Sequence, residues 1–163
     1  MRTEGTSTLH IALLHPEIGP NTGNVGRLCL GLGATLHLIH PLGFRTDDKA
    51  VRRAGLDYWK QVSVQEHSGA DAFWEWADGR RVWLFSAAGG EAHTAPSYQV
   101  GDVLLFGPES VGLPQDLVER RGAYRIPMTG PIRSLNLANA VAVVAYAALQ
   151  QIDPGMFRPG SGE

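Results

Sequence analysis

Short runs of hydrophobic residues recur along the chain, and a segment rich in Gly, Pro, Asn or charged residues follows each of them. Runs of this length between turn residues predict buried strands. The predicted strands cover residues 9–14, 34–39, 62–64, 81–86, 102–106 and 124–126. The predicted helices between them cover residues 23–32, 47–54, 71–77 and 114–121. This alternation predicts an α/β domain whose mostly parallel sheet is flanked by helices.

Polar residues and prolines mark the expected helix ends. Asn21 or Thr22 is the expected cap of the first helix, and Pro114 is the expected first residue of the fourth. The last helix, within residues 135–149, is apolar on nearly every side, which predicts burial in the core or against a partner. Ser134 and Asn136 crowd its start, where unsatisfied backbone N–H groups make a polar, ligand-friendly spot.

The composition places the chain among ordinary globular proteins. With 163 residues, 44% hydrophobic and 18% charged, we expect residues 1–153 to form a single domain, and the Gly/Pro-rich residues 154–163 to form a flexible tail. The lone Cys29 excludes an internal disulfide and is expected to be a small buried filler. The sequence shows neither a membrane-spanning apolar run nor a signal-peptide core, so a cytoplasmic location is expected.

The formal net charge of −2 argues against a protein that coats nucleic acid through bulk charge. Local basic clusters within residues 45–60 and 120–133 keep a smaller nucleic-acid contact open.

Several common functional signatures are missing from the sequence. The dinucleotide fingerprint would follow the first strand, whereas the only candidate, Gly31-Leu-Gly33, closes a helix and lacks the third glycine. The phosphate loop G-x-x-x-x-G-K-[ST] and the hydrolase elbow G-x-S-x-G are absent. The six histidines show no paired ligand spacing, so we expect no catalytic metal.

Three loop segments carry the remaining chemistry, and parallel sheets bind ligands in such loops at the carboxyl ends of their strands. They read P-E-x-x-P-N-T-G-N-x-x-R at residues 16–27, F-G-P-E-x-x-G-L-P at 106–114, and I-P-M-x-x-x-x-R-S-L-N-L-A-N-A at 126–140. Together and in this order they resemble the three signature motifs of the SPOUT superfamily of RNA methyltransferases. The likeness is strongest to the small tRNA 2′-O-methyltransferases that modify the wobble nucleotide. It runs from about residue 9 to residue 151.

The resemblance implies a fold that local periodicity does not predict, since threaded chains are rare. The C-terminal segment would pass through a loop to form a deep trefoil knot, which gives the α/β knot fold of the superfamily. The family also dimerises through its first and last helices. S-adenosylmethionine is the implied cofactor, bound bent in the knot. Mapped onto this sequence, the cofactor-binding residues would be Phe85, Ser86, Gly107, Ile126, Met128, Ser134 and Leu135.

The resemblance also assigns the catalytic side, with Arg27 as the key residue. Because an arginine hardly ever loses its proton, we expect Arg27 to bind a phosphate or the hydroxyl oxygen and to stabilise a developing alkoxide, while its action as a base stays open. In the dimer it would face the partner's cofactor. Asn24 would orient its loop. The acceptor side would be shaped by Glu109, Ser134 and Asn136. The alternative role of Glu109 is a cap for the helix from residue 114.

The implied partner is the anticodon loop of a tRNA, since proteins read single-stranded loops and the 2′-OH distinguishes RNA from DNA. The cluster at residues 45–53, Arg133 and Tyr146 are the expected RNA contacts. Two positions depart from the family pattern. Gly26 replaces a bulkier apolar residue, and Trp59 stands where relatives vary.

Alternative functions stay open at this point. One is a non-catalytic dimeric module that binds an adenosine nucleotide and docks a partner through its last helix. Another is 2′-O-methylation at a different tRNA or rRNA site. A dinucleotide-dependent oxidoreductase is disfavoured by the missing glycine fingerprint.

Overall fold

A computed structural model of the chain describes residues 7–47, 56–160 and 162. Its centre is a seven-stranded sheet in which every described pair of neighbouring strands is parallel, in the order β3-β2-β1-β6-β4-β7-β5. The strands are β1 (His10–Leu14), β2 (Thr35–Ile39), β3 (Val64–His67), β4 (Val82–Phe85), β5 (Glu91–Ala92), β6 (Val103–Phe106) and β7 (Tyr124–Arg125). The predicted α/β fold with a mostly parallel sheet is therefore confirmed.

Helices cover both faces of this sheet. The α-helices are α1 (Gly19–Leu32), α2 (Ala70–Trp76), α3 (Gln115–Arg121) and α4 (Leu137–Ile152), and 3₁₀ helices form at Leu56–Gln61 and Pro154–Phe157. Side chains of β1 alternate between two hydrophobic clusters, because successive residues of a strand point to opposite faces. One cluster lies beneath α1 and α4, and the other lies beneath α2 and α3. Cys29 is fully buried in the first cluster, as predicted, and this burial raises the pKa of its thiol.

The first helix begins earlier than predicted. Helix α1 starts at Gly19, so Asn21 and Thr22 lie inside it and the prediction that either caps it is wrong. Pro20 fits the first turn, because its fixed φ suits a helix and its missing N–H has no partner there anyway. The N-cap residue Ile18 has no side-chain cap of its own.

Other element boundaries differ by smaller amounts. Strand β3 occupies 64–67 rather than 62–64, β5 was not predicted, and Pro114 is the N-cap of α3 rather than its first residue. The predicted helix at 47–54 lies outside the described residues except for residue 47. Within the predicted tail, Pro154–Phe157 form a 3₁₀ helix and Met156 packs on the first cluster.

Three histidines that are far apart in sequence form one buried row beneath α2. The Nδ1 atom of His10 lies 2.9 Å from Nε2 of His37, and Nδ1 of His37 lies 2.9 Å from Nε2 of His67. The ring of Trp76 covers all three at centroid distances of 5.2, 4.2 and 5.6 Å. Burial lowers the pKa of His10 to about 4 and that of His37 to about 2, and it also lowers the pKa of His67. All three are therefore neutral near pH 7.

Candidate active site

The first two motif segments are joined by the carboxylate of Glu109. Its oxygens accept hydrogen bonds from the backbone N–H groups of Glu17 and Ile18, each at 2.8 Å, and from the side-chain amide of Asn21 at 3.3 Å. Glu109 thereby supplies the missing acceptor at the start of α1, where backbone N–H groups lack helical partners. The predicted capping role of Glu109 at the helix from residue 114 is wrong, because the helix that it caps is α1.

A second contact between the same loops runs in the opposite direction. The carboxylate of Glu17 accepts the backbone N–H of Ser110 at 2.9 Å and the hydroxyl of Ser110 at 2.7 Å. The backbone hydrogen bond first, and the hydroxyl second, hold the pKa of Glu17 below its ordinary value. The two loops are therefore clasped by reciprocal bonds to ionised carboxylates, which are stronger than neutral hydrogen bonds.

The third motif segment is joined through Asn21. The amide of Asn136 donates to the side-chain oxygen of Asn21 at 3.0 Å, and the oxygen of Asn136 accepts the backbone N–H of Ala138 at 2.9 Å. Asn136 is therefore the N-cap of α4, in line with the polar helix start expected from the sequence. Glu109, Asn21 and Asn136 form a polar chain that links all three segments.

Asn21 was missed as a site residue by sequence reasoning, which chose Asn24 from the same segment. Asn24 is exposed on α1, whereas Asn21 is buried and contacts both Glu109 and Asn136. A start of α1 at Gly19 would have pointed to Asn21, because it places residue 21 in the first turn of the helix and residue 24 one turn further along.

Glycines close the loop that carries Glu109. A Cβ atom on Gly107 would lie 2.3 Å from the backbone carbon of Gly112, so only glycine fits at position 107. Gly112 has a φ of +70°, a left-handed conformation that side chains disfavour, and its N–H donates to the carbonyl of Pro108 at 2.8 Å. The contacts of Gly107 are thus with its own tight turn at the carboxyl end of β6, and its predicted contact with a cofactor stays a prediction.

A cleft of about 300 Å³ lies along the third motif segment. It is lined by Ala87, Arg125, Ile126, Met128, Gly130, Pro131, Ile132 and Arg133. Two predicted cofactor-binding residues, Ile126 and Met128, and the predicted RNA contact Arg133 are among them. Backbone that follows the ends of β4 and β7 meets here, which suits a flat ligand whose edge is read by main-chain groups.

The other predicted cofactor residues lie outside this lining. Phe85 is buried at the end of β4, where its ring stacks on Phe106 at a centroid distance of 5.1 Å. The backbone N–H of Ser86 donates to the carbonyl of Tyr124 at 2.9 Å, which fixes the adjoining loop. Ser134 is exposed and Leu135 half-buried on the segment that leads to α4.

A second cleft of about 450 Å³ lies between α1 and α4. Asn24, Arg27, Asn136 and Tyr146 line it together with Asn21 and Asn139. The structure therefore brings together three predicted catalytic residues and one predicted RNA contact. Arg27 is exposed, and its guanidinium carbon lies 5.5 Å from the centre of the Tyr58 ring. Arg27 does not line the first cleft, so it lies in a different cleft of the chain from the predicted cofactor residues Ile126 and Met128.

The predicted basic cluster at 45–53 is described only at its start, where Arg45 pairs with Asp47 at 3.1 Å. Within residues 7–47 and 56–160, no group of three or more His, Cys, Asp or Glu side chains is placed to hold a metal ion. Over the same residues, no helix is long and apolar enough to cross a bilayer.

Several proteins are similar to this chain over most of its length. A tRNA (cytidine(34)-2′-O)-methyltransferase of Escherichia coli K12 is 48% identical over 147 residues, which cover 88% of this chain and 94% of that protein. The enzyme of the same description from Aeromonas hydrophila is 49% identical over 147 residues, with the same shares covered.

Solved structures agree with these sequence matches. A structure from work on the 2-OH methylation of C/U34 on tRNA superimposes with a TM-score of 0.86 at 49% identity, and covers 90% of this chain and 97% of that one. An AdoMet-bound rRNA methyltransferase from Sinorhizobium meliloti has a TM-score of 0.79 at 26% identity, over 87% of this chain and 56% of that one.

These matches confirm the resemblance found in the sequence, the enzyme class that it implies, and S-adenosylmethionine as the cofactor. The family match extends over residues 8–146, which includes all three motif segments. The chain belongs to the SpoU rRNA methylase family.

Proposed function

We propose that this chain transfers the methyl group of S-adenosylmethionine to the ribose 2′-hydroxyl of the wobble nucleotide, cytidine or uridine 34, of a tRNA. The observation that carries the proposal is the convergence of three motif segments through Glu109, Asn21 and Asn136 beside two clefts. Relatives nearly half identical over most of the chain, which are named for this reaction, support it.

The cofactor residues fall into two groups in this proposal. Ile126 and Met128 line the first cleft directly, and their apolar side chains and main-chain groups suit an adenine ring. Phe85, Ser86 and Gly107 stand at the ends of the neighbouring strands β4 and β6, from which they would support the wall of the cleft. Ser134 and Leu135 would close it from the segment before α4. When bound, the cofactor supplies a methyl group on a sulfonium that is already activated for transfer.

The transfer is an in-line displacement in which the 2′ oxygen forms the new C–O bond, the C–S bond breaks, and the hydroxyl proton leaves. Because the donor is activated, the protein must mainly align the acceptor and ease its deprotonation. Arg27 would hold the 2′ oxygen or the adjacent phosphate through its guanidinium and stabilise the developing alkoxide. Asn24 and Asn136 share the cleft of Arg27, and they would orient the acceptor with Ser134.

The proposal includes a homodimer. Arg27 lines a cleft between α1 and α4, separate from the one assigned to the cofactor, and a second subunit would bring the two together. Helix α4 carries apolar side chains that the chain itself leaves uncovered: Val143 is 39% exposed and Tyr146 is 44% exposed. An apolar face of this kind suits a partner helix. Arg27 of each subunit would then face the cofactor of the other.

The proposal also includes the knot and the RNA contacts. Strand β7 pairs with β4 and β5, while α4, which begins at Leu137, packs with α1 on one face of the sheet. This path is compatible with a C-terminal segment threaded through a loop. Arg133 beside the first cleft, Tyr146 beside the second, and the cluster at residues 45–53 would hold the anticodon loop, in the cytoplasm.

A methylation assay tests the function. Purified full-length protein is incubated with labelled S-adenosylmethionine and bulk tRNA, and the tRNA is then digested for nucleoside mass analysis and mapped to position 34. We expect 2′-O-methylcytidine or 2′-O-methyluridine at that position. Label found only at another tRNA or rRNA nucleotide would correct the substrate. Cofactor binding without any transfer would instead support the non-catalytic module.

A further inference from the structure

The two positions that depart from the family pattern contact each other. A Cβ atom on Gly26 would lie 2.7 Å from Cζ3 and 3.0 Å from Cε3 of Trp59. Contacts this short do not occur between real atoms, so a side chain at position 26 and the indole in its present place exclude one another. The absence of a side chain at Gly26 therefore opens a notch in the buried side of α1, and the indole of Trp59 occupies it.

This contact fixes a short element against α1. Trp59 belongs to the 3₁₀ helix Leu56–Gln61 and packs on the first hydrophobic cluster. Its carbonyl accepts the backbone N–H of Val62 at 3.1 Å, and a side-chain methyl of Val62 would lie 3.7 Å from the same Cβ position on Gly26. Both residues therefore hold the 3₁₀ helix at one place along α1.

The neighbouring residues on the two elements form a second contact. Arg27 follows Gly26 on α1, Tyr58 precedes Trp59 on the 3₁₀ helix, and the guanidinium of Arg27 lies over the Tyr58 ring at 5.5 Å. A cation within about 6 Å of an aromatic centre is attracted by the ring, and a planar guanidinium also stacks on it. Arginine has many rotamers when exposed, so an aromatic surface reduces the number that Arg27 occupies.

We propose that Tyr58 is a positioning residue for Arg27, and that Trp59 seated on Gly26 holds Tyr58 in place. The inference rests on the proposed function, because Arg27 is the group expected at the 2′ oxygen. Tyr58 does not itself contact the reacting atoms. The Tyr58 ring holds the Arg27 guanidinium at one position relative to α1, and the packing of the Trp59 indole against Gly26 fixes the position of that ring.

The kinetic test compares two replacements of Tyr58 that differ in the ring. Tyr58→Phe keeps the aromatic face, so kcat should stay within about two-fold of the wild type. Tyr58→Leu removes it, and we expect kcat for methyl transfer to fall about three- to five-fold, within the range of about two- to five-fold that an exposed cation–π contact supplies. The KM for S-adenosylmethionine should be unchanged. Gln61→Ala, an exposed change on the same 3₁₀ helix, is the matched control and should leave both constants unchanged.

Two kinetic outcomes would overturn the inference. Wild-type kcat in Tyr58→Leu would mean that the ring does not position Arg27. An equal loss in Tyr58→Phe and Tyr58→Leu would mean that the hydroxyl acts and the ring does not.

A second measurement does not depend on activity. The side-chain Nε–Hε resonance of Arg27, assigned from its disappearance in Arg27→Lys, should carry a ring-current shift from Tyr58. The shift should persist in Tyr58→Phe and vanish in Tyr58→Leu, and its presence in both would contradict the contact. If the wild type transfers no methyl group to any RNA, the proposed function is wrong. The ring-current measurement would still show whether Arg27 lies against the Tyr58 ring.

The anchor is tested separately by Gly26→Ala. The added Cβ should displace the indole of Trp59 and thereby move Tyr58. We then expect the Arg27 ring-current shift to vanish and kcat to fall about three- to five-fold, as in Tyr58→Leu. Should Gly26→Ala prevent folding, Trp59→Leu removes the indole without creating a clash. A folded variant of either kind that keeps the Arg27 shift would show that Trp59 does not hold Tyr58.

Discussion

Glu109 shows how one side chain can decide the arrangement of two loops. Its ionised oxygens accept two backbone N–H groups and one amide from a segment that lies about ninety positions earlier in the chain. Replacement by glutamine would place an NH₂ group against one of the N–H donors. We therefore expect Glu109→Gln to lower the free energy of unfolding by about 1–3 kcal/mol, the usual cost of a hydrogen-bonding group left unsatisfied. Chemical denaturation of the wild type and the variant measures this difference in the free energy of unfolding.

Glu119 provides the matched control, because it is an exposed carboxylate whose described hydrogen bond is to Gln115 at 3.1 Å. Glu119→Gln should change stability by no more than about 0.5 kcal/mol. The same experiment separates the roles of Glu109. A variant that keeps wild-type stability but loses methyl transfer would argue for a catalytic Glu109 and against a structural clasp.

At the scale of elements, the histidine row makes the β1–β2–β3 edge of the sheet sensitive to acid. Burial lowers the pKa of His10 from 6.5 to about 4, so the unfolded chain binds its proton more readily than the folded one. The stability contributed by the neutral state is fully present above about pH 6.5 and is lost as the pH falls towards 4. Between pH 7 and 5, His10 alone should cost about 2 kcal/mol.

Urea titrations at pH 7 and pH 5 check this expectation. The pKa values of His37 and His67 are also lowered, so the three histidines together should make the free energy of unfolding fall more steeply with pH than His10 alone. His10→Gln should flatten the pH dependence of the free energy of unfolding, because it removes the group whose pKa is lowered to about 4. An unchanged slope in His10→Gln would mean that protonation of His10 does not contribute to the loss of stability.

The elements that could be predicted from the sequence are those whose signals are local. Strands β1, β2 and β6 are buried along their whole length, so each appears as a short segment dominated by apolar residues. The start of α1 was missed because its acceptor comes from Glu109, which no local pattern indicates. The histidine row was missed for a similar reason, since His10, His37 and His67 meet only through the pairing of parallel strands.

At the scale of the whole molecule, the three motif segments were found through a family resemblance, and their meeting in space depends on contacts such as that of Asn136 with Asn21. The sequence grouped Arg27 with Met128 in one site. The folded chain places Arg27 between α1 and α4, and Met128 along a different cleft. The family resemblance implied that Arg27 of one subunit faces the cofactor of the other, but no local pattern in the sequence states which copy of the chain supplies a residue, so the division between subunits is a question that needs its own test.

Mixing two inactive variants answers that question. Arg27→Ala should abolish transfer and retain cofactor binding, because Arg27 does not line the first cleft. Ala87→Trp should fill the first cleft with an indole and abolish cofactor binding, while Arg27 stays intact. When both are refolded together in equal amounts, half of the dimers carry one of each, and one of their two composite sites pairs an open cleft with an intact Arg27. We therefore expect about a quarter of wild-type activity.

Arrangement within one subunit predicts the opposite result. If Arg27 served the cleft of its own chain, every site in the mixture would carry one of the two defects, and no activity would return. Each variant refolded alone is the matched control and should stay inactive. Because the recovered fraction is set by the statistics of pairing, raising the share of Ala87→Trp above one half should lower the total activity while raising the activity per Arg27→Ala subunit. A mixture that stays inactive at every ratio would contradict an arginine supplied across the dimer.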